Sequence, residues 1–470
     1  MFTSGVYVLE KTATNESIAT HSAKHKSTYC RQCSLNYAGR SLKEEKKLNK
    51  TNYSSKKLRG LIAFALIVFV SSVVVCPCLS DGSTWDRTYG GAADDTAAGE
   101  TVQANDGGYA VLGDTNSFGA GDSDFWLIKT DADGNTQWNK TYGGELAEVS
   151  GDMCVTTDGG YAMSGYTKSF GAGGQDFWLV KTDANGNTEW NMTYGGTDNE
   201  YAYHVEQTVD GGYILLGQTR SFGAGNNDFW LVKTDANGNT EWNMTYGGTG
   251  NDVGIHVIQT ADGGYALAGS TSSFGAGSND AWLIKTDASG NTEWNQTYGG
   301  TGYDGGQCLE PTSDGGYALA CLTTSFGAGS LDFWFIKLDA SGNTEWNMTY
   351  GGPGSDGPTH FIQTEDNGYA LVGFTTVGSD QNASLIKIDA LGNMEWNQTY
   401  GGTGSEIAYA LLETNDGYYL LTINTDSFGA GEDDIWLVST IPENTTIGAI
   451  IMLAIATTII ITRTSHKRQN

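Results

Sequence analysis

The sequence predicts an all-β protein, a seven-bladed β-propeller with four antiparallel strands per blade. Three observations predict it. A repeat of about fifty residues runs seven times through positions 84–440. Each copy divides into four short strands separated by glycine-rich turns. The two ends of the array are incomplete, and each supplies what the other lacks.

The repeat is carried by three motifs. Trp-x-x-Thr-Tyr-Gly-Gly begins at Trp85, Trp138, Trp190, Trp242, Trp294, Trp346 and Trp396, in steps of 53, 52, 52, 52, 52 and 50 residues. A Gly-Tyr pair follows at Tyr109, Tyr161, Tyr213, Tyr265, Tyr317, Tyr369 and Tyr419. Asp-aromatic-Trp recurs at Trp126, Trp178, Trp230 and Trp334, with Ala or Ile in the middle at Trp282 and Trp436. A fixed period of this length is the mark of a repeat architecture.

One unit, 252–300, shows the elements in order. Val253–Thr260 alternates as a first strand. Asp262-Gly263-Gly264 is a hairpin turn in which glycine supplies positive φ. Tyr265–Thr271 is the second strand, and Ser273-Phe274-Gly275-Ala276-Gly277 a longer loop. Ala281–Thr286 is apolar on both faces, as in a strand sandwiched between neighbouring sheets. Asp287–Gly290 turns into a fourth strand, Thr292–Tyr298. Four antiparallel strands per repeat is the propeller pattern. The first copy opens with an orphan fourth strand at Thr84–Tyr89, and the last stops after a third strand at Ile435–Thr440. The orphan is therefore expected to complete the last sheet and close the ring, which removes an aggregation-prone edge.

The run Lys-Thr-Asp-Ala-x-Gly-Asn-Thr-x-Trp, as at Lys233–Trp242, resembles the Trp-docking repeat of quinoprotein-type (PQQ-like) propellers. It is similar also to the glycine-rich propeller repeats of secreted archaeal and bacterial surface proteins. The resemblance covers 85–440 and implies a propeller. The quinoprotein repeat has one more residue between its Asp and its Trp, and the family's quinone-binding residues have no matching positions here, so a quinone enzyme is not implied.

Charge is divided along the chain. Residues 1–60 hold twelve Lys/Arg and four Asp/Glu, whereas 81–445 hold ten Lys/Arg against fifty Asp/Glu. A domain so acidic repels nucleic acid and favours cations, basic partners or a salty medium. Two uncharged stretches suit a bilayer. Positions 61–79 read as a transmembrane helix or a signal segment, and 447–462, after a linker at 441–446, as a membrane anchor. Lys56, Lys57 and Arg59 precede the first, and Arg463, Lys467 and Arg468 follow the second. By the positive-inside rule the basic tails 1–60 and 463–470 stay in the cytoplasm and 84–440 lies outside the cell. The tail 1–60 is expected to be disordered, although His21, His25, Cys30 and Cys33 are spaced for a small zinc knuckle.

Four sets of residues carry chemistry. Asn-x-Thr sequons stand at Asn139, Asn191, Asn243, Asn295, Asn347 and Asn397, one per fourth strand, with two further sequons at Asn382 and Asn444. In an exported domain these are acceptors for N-glycans. His204, His256 and His360 each lie nine residues before the repeat tyrosine, where the other copies have Glu100, Asp152, Cys308 and Ala410. First strands line a propeller's channel, so this ring could bind a transition metal such as zinc. A second ring four residues upstream holds Glu148, Glu200, Asp252, Asp304, Asp356 and Glu406, with Asp95 in the first copy. Seven carboxylates at a channel mouth suit Ca²⁺, or else accept hydrogen bonds from the glycine turns. Finally, Cys308 and Cys321 stand opposite each other if Asp314-Gly315 is a two-residue turn, a placement compatible with a disulfide.

No catalytic triad or phosphate loop is evident. The sequence reads as a membrane-anchored cell-surface module that binds surface glycans or proteins. The alternative is a metal-dependent hydrolase or lyase, or a quinoprotein-like oxidoreductase, that uses the channel.

Overall fold

The structure, a computed structural model, describes residues 84–440 other than 415 and 416. Both hydrophobic segments, the basic tails with their His/Cys group, the linker and Asn444 lie outside the described residues. Among the described residues no helix is long and apolar enough to cross a membrane.

The described chain forms 28 strands in seven four-stranded sheets. Six sheets are built from consecutive strands. The repeat at 252–300 gives Asp252–Gln259, Tyr265–Thr271, Asp280–Thr286 and Thr292–Tyr298, within a residue or two of the expected bounds. The seventh sheet joins the two ends of the array. Trp85–Tyr89 (β1) pairs antiparallel with Asp434–Thr440 (β28), with Trp85 opposite Ser439 and Thr88 opposite Trp436. The ring is closed as the incomplete ends require. Each first strand touches the first strands of both neighbouring blades, and these contacts run unbroken around the ring. First strands therefore line the channel and fourth strands form the perimeter.

Blades are held together by side chains of the repeat motifs. The Phe of Asp-Phe-Trp meets the Trp of the next blade: Phe125 on Trp178 at 4.9 Å, Phe177 on Trp230 at 4.7 Å and Phe229 on Trp282 at 5.0 Å between ring centroids. The fourth-strand Trp reaches forward too. Trp190 lies against Gly238 in the following blade, where a Cβ would come within 2.7 Å of its ring. Gly238 has φ +79°, so this turn needs glycine both for its backbone and for the room it leaves. The tyrosine after each Trp adds a bond between blades, as where the Tyr194 hydroxyl donates to the Gly238 carbonyl at 2.7 Å. Within a blade, a buried lysine of the third strand brackets the first hairpin. Lys285 Nζ sits 2.8 Å from Asp262 and 3.0 Å from Glu293.

The expected disulfide is not formed; Cys154, Cys308 and Cys321 are free thiols. The hairpin turns through Thr312–Gly316, with Gly315 N–H bonded to Thr312 C=O, rather than through two residues. Cys308 therefore faces Ala320, and a bulge then sets Cys321 opposite Gly306. A one-residue slip sends a side chain to the other face of a sheet. Cys308 packs with Phe335 and Phe361, and Cys321 packs on the other side with Leu319 and Trp334.

Candidate functional site

The residues nine before each repeat tyrosine converge in the channel. Each first strand carries a β-bulge just ahead of this position. In the third blade the register breaks between Ala202 and His204, and equivalent breaks precede Asp152, His256, Cys308, His360 and Ala410. A bulge kinks the strand and re-aims a side chain. The first blade has a wider break, between Ala97 and Thr101, which absorbs the extra residue of its 53-residue step. Gly99 takes φ +63° there. A Cβ on it would lie 2.5 Å from the Asp152 Cα.

Three overlapping sets of ligand atoms result, each with its members within 4.8 Å of one another: Glu100, His204 and His256; His256, Cys308 and Glu310; and Glu100, Glu310 and His360. Shared members make them one continuous cluster. His204 Nε2 lies 3.4 Å from Asp152 Oδ2, which adds a further blade. Ala410 offers no ligand, and His360 Nε2 reaches past its blade to Glu100 Oε1 at 3.3 Å. The rings of His204 and His256 stand 3.8 Å apart, tilted by 46°.

Burial sets the protonation of the cluster. It pushes His256 well below the usual imidazole range, with His204 and His360 adding to the effect. Burial also lifts Asp152 to about 6 against the opposing influence of His204, and Glu310 to about 7, with Glu100 adding to the rise. At Glu100 burial pulls upward, but the hydrogen bond and charge of His360 outweigh it and hold the carboxyl below its usual value. A neutral imidazole beside an ionised carboxylate is a donor set for a cation. Several nitrogens have no partner: both ring nitrogens of His256, Nδ1 of His204 and Nδ1 of His360 are buried without a hydrogen bond.

Glu310 and Glu206 escaped the sequence reading, although each follows a ring residue by two positions. Glu206 accepts the Gln259 amide at 2.7 Å.

The second ring is placed otherwise. Asp95, Glu148, Glu200, Asp252, Asp304, Asp356 and Glu406 are buried at the blade junctions. Glu200 is typical. It accepts the Thr219 hydroxyl at 2.9 Å, the Ser221 amide at 3.0 Å and the Gly196 amide at 2.8 Å. Threonine and glycine partners recur at all seven positions. The ligand clusters among the described residues include none of these carboxylates.

On the perimeter, Asn191, Asn243, Asn295, Asn347 and Asn397 are exposed and Asn139 is half-buried. The Trp178 indole donates to Asn191 Oδ1 at 3.2 Å, and the same bond forms at Asn139, Asn243, Asn295 and Asn347. Asn382 is half-buried at the start of a third strand, where six blades have aspartate. The loops between second and third strands share one end of the ring by topology. They expose Phe118, Phe170, Phe222, Phe274, Phe326 and Phe428, each 37–46% accessible. Each ring rests on the Asp-x-Trp tryptophan of its own blade. The sixth blade departs from this pattern: its strands Tyr369–Val377 and Asp380–Ile388 are longer and meet at Gly378-Ser379.

The geometry defines a seven-bladed β-propeller with four antiparallel strands per blade. No family model matches the chain, and no curated protein matches it. Solved structures similar to it include a protein of unknown function from Dyadobacter fermentans, at 11% identity over 77% of this chain and 100% of that one, TM-score 0.45. The polysaccharide lyase Uly1 is similar at 12% identity over 73% and 90%, TM-score 0.46. The periplasmic gluconolactonase PpgL of Pseudomonas aeruginosa is similar at 14% identity over 66% and 87%, TM-score 0.44. At these values no argument about activity rests on them.

Proposed function

We propose that the chain is a membrane-anchored cell-surface binding and scaffolding module, with its propeller outside the cell. The observation that carries this reading is the repeated display of six half-exposed phenylalanines on glycine-rich loops at one end of a closed ring. Equivalent contacts on a rigid ring favour multivalent capture, in which each further contact is intramolecular and avidity rises without any one contact being strong. The ligand is a surface glycan or protein. Basic flanks around the two hydrophobic segments support the orientation. The sequons on the outer strands support N-glycans around the perimeter.

The test has two parts. Protease applied to intact cells is expected to cleave the propeller, and glycan and surface-protein arrays probed with the purified chain are expected to show a ligand. Replacing Phe170, Phe222, Phe274 and Phe326 by Ser is expected to weaken that binding at least tenfold while the thermal transition is kept. Protection of the propeller in intact cells, or binding unchanged by the four substitutions, removes this reading. The channel cluster favours a second one, a metal-dependent hydrolase or lyase, which requires turnover that is lost on metal removal.

A further inference from the structure

The channel cluster bears on a question separate from what the loops bind. A buried polar group without a hydrogen-bond partner is destabilising by about 1–3 kcal/mol. His256 is only 7% exposed, and neither of its ring nitrogens has a partner. No side chain is hydrogen-bonded to either nitrogen, yet the surroundings are not simply apolar. They are other ligand-type side chains: the tilted ring of His204 at 3.8 Å between centroids, and Glu100, Cys308 and Glu310 within 4.8 Å. Imidazoles crowded beside carboxylates, with nitrogens left open, are the donors a divalent cation takes.

We infer that the channel holds one divalent transition-metal ion of the zinc class, ligated by Glu100, His204 and His256. Three features select this trio from the overlapping sets. It contains the imidazole with two open nitrogens, and it draws a second imidazole, His204, whose Nδ1 is also open. Its carboxylate, Glu100, is carried on the extra-residue bulge at Gly99, which projects it toward residues of the third and fourth blades. Cys308 is grouped with His256 and Glu310 but not with Glu100 or His204.

Two imidazoles and one carboxylate suit Zn²⁺, which takes nitrogen and oxygen ligands at about 2.0–2.2 Å in tetrahedral sites. Bonds of that length require the ligand atoms to approach one another to roughly 3.4 Å. The present spacing is within 4.8 Å, so binding requires the ligand atoms to draw in by about 1.4 Å at most. The fourth position remains open to water or to a ligand entering the channel. Asp152, 3.4 Å from His204 Nε2, is placed to orient that imidazole so that its Nδ1 faces the ion, as carboxylates behind metal-bound histidines do.

The experiment uses the purified full chain, stripped with a chelator and then dialysed against Zn²⁺. Elemental analysis is expected to return about one zinc per chain, and added Zn²⁺ to raise the melting temperature reversibly, since an ion that binds only the folded state stabilises it. His256→Ala and Glu100→Gln are each expected to weaken zinc binding at least tenfold and to abolish the zinc-dependent shift. Glu100 is the more exposed of the two, so its variant keeps the test valid if His256→Ala fails to fold. Cys308→Ser is expected to leave the stoichiometry unchanged, and the Co²⁺-substituted protein to show tetrahedral d–d bands without a thiolate charge-transfer band. Absence of zinc from the folded wild type, zinc retained by Glu100→Gln, or a thiolate band would each overturn the assignment. None of these outcomes depends on what the phenylalanine loops capture.

Discussion

At the scale of single residues, the blades are tied by a few repeated bonds whose loss is measurable one at a time. Tyr194 spends its hydroxyl on the Gly238 carbonyl of the next blade, out of water. Tyr194→Phe is expected to lower stability by about 1 kcal/mol, read from denaturant midpoints at constant m-value. The lysine brackets predict an acid response. At Asp262 and Asp314 the lysine hydrogen bond is the main influence and holds the carboxyl at about 2. At Asp158 and Asp210 burial pulls upward, but the lysine and threonine bonds outweigh it, again to about 2. A carboxyl depressed from about 3.9 in the unfolded chain adds stability that is whole above about pH 4 and lost as pH falls toward 2. These aspartates are more than half exposed, so each is worth only a fraction of a kcal/mol. The expected result is a falling melting temperature between about pH 4 and 2, less steep when Asp262 and Asp314 are both replaced by Asn. Cys308 and Cys321 show the limit of reading at this scale. Their spacing suggests a bridge, but the true hairpin is longer than two residues, and no local residue type announces that length.

At the scale of the element, the repeat made the strands legible. Alternation, glycine turns and the both-faces-apolar third strand place all four in the copy at 252–300 to within a residue or two. The bulge in every first strand was not legible, because it leaves the residue spacing unchanged from copy to copy and breaks only the pairing. It is nevertheless what shapes the channel cluster. Only in the first blade does the sequence betray it, through the one extra residue accommodated at Gly99. Glu206 and Glu310 were missed although alternation puts each on the face of the ring residue two positions before it, because the other copies have Val102, Cys154, Ile258, Ile362 and Leu412 there and recurrence does not single the position out. The turn between third and fourth strands gives a sharper test of element geometry. In Gly238→Ala, a methyl group would meet Trp190 at 2.7 Å and Met192 at 2.9 Å from a backbone at φ +79°. The variant is expected to lose more than about 1 kcal/mol, with a change in the fluorescence of the displaced tryptophan.

At the scale of the whole molecule, stability depends on closure. Deleting residues 84–89 removes β1 and exposes the edge of β28. That edge strand, Asp-Ile-Trp-Leu-Val-Ser-Thr, is mostly buried, and unpaired apolar edges template aggregation. The truncated chain is expected to aggregate or to unfold in a broadened, non-cooperative transition, seen by light scattering and calorimetry. The acidity of the ring acts over a longer range. Fifty Asp/Glu against ten Lys/Arg in 81–445 make the compact state repel itself. Raising NaCl from about 0.02 to 0.5 M shortens the screening length from about 20 Å to about 4 Å and is expected to raise the melting temperature; a flat or falling response would show that the charges are already neutralised.

The way β1 meets β28 also decides how the domain answers a mechanical load. The chain enters at Trp85 and leaves at Thr440, and Trp85 lies opposite Ser439, so both chain ends emerge from the same end of one two-stranded ladder. Tension that draws those ends apart peels the ladder open, one bond after another, instead of shearing all of its bonds together. Stretched end to end in a single-molecule experiment, the ring is expected to give way first at this junction and at low force. If both ends run to the same surface and are pulled in parallel, the junction carries almost none of the strain.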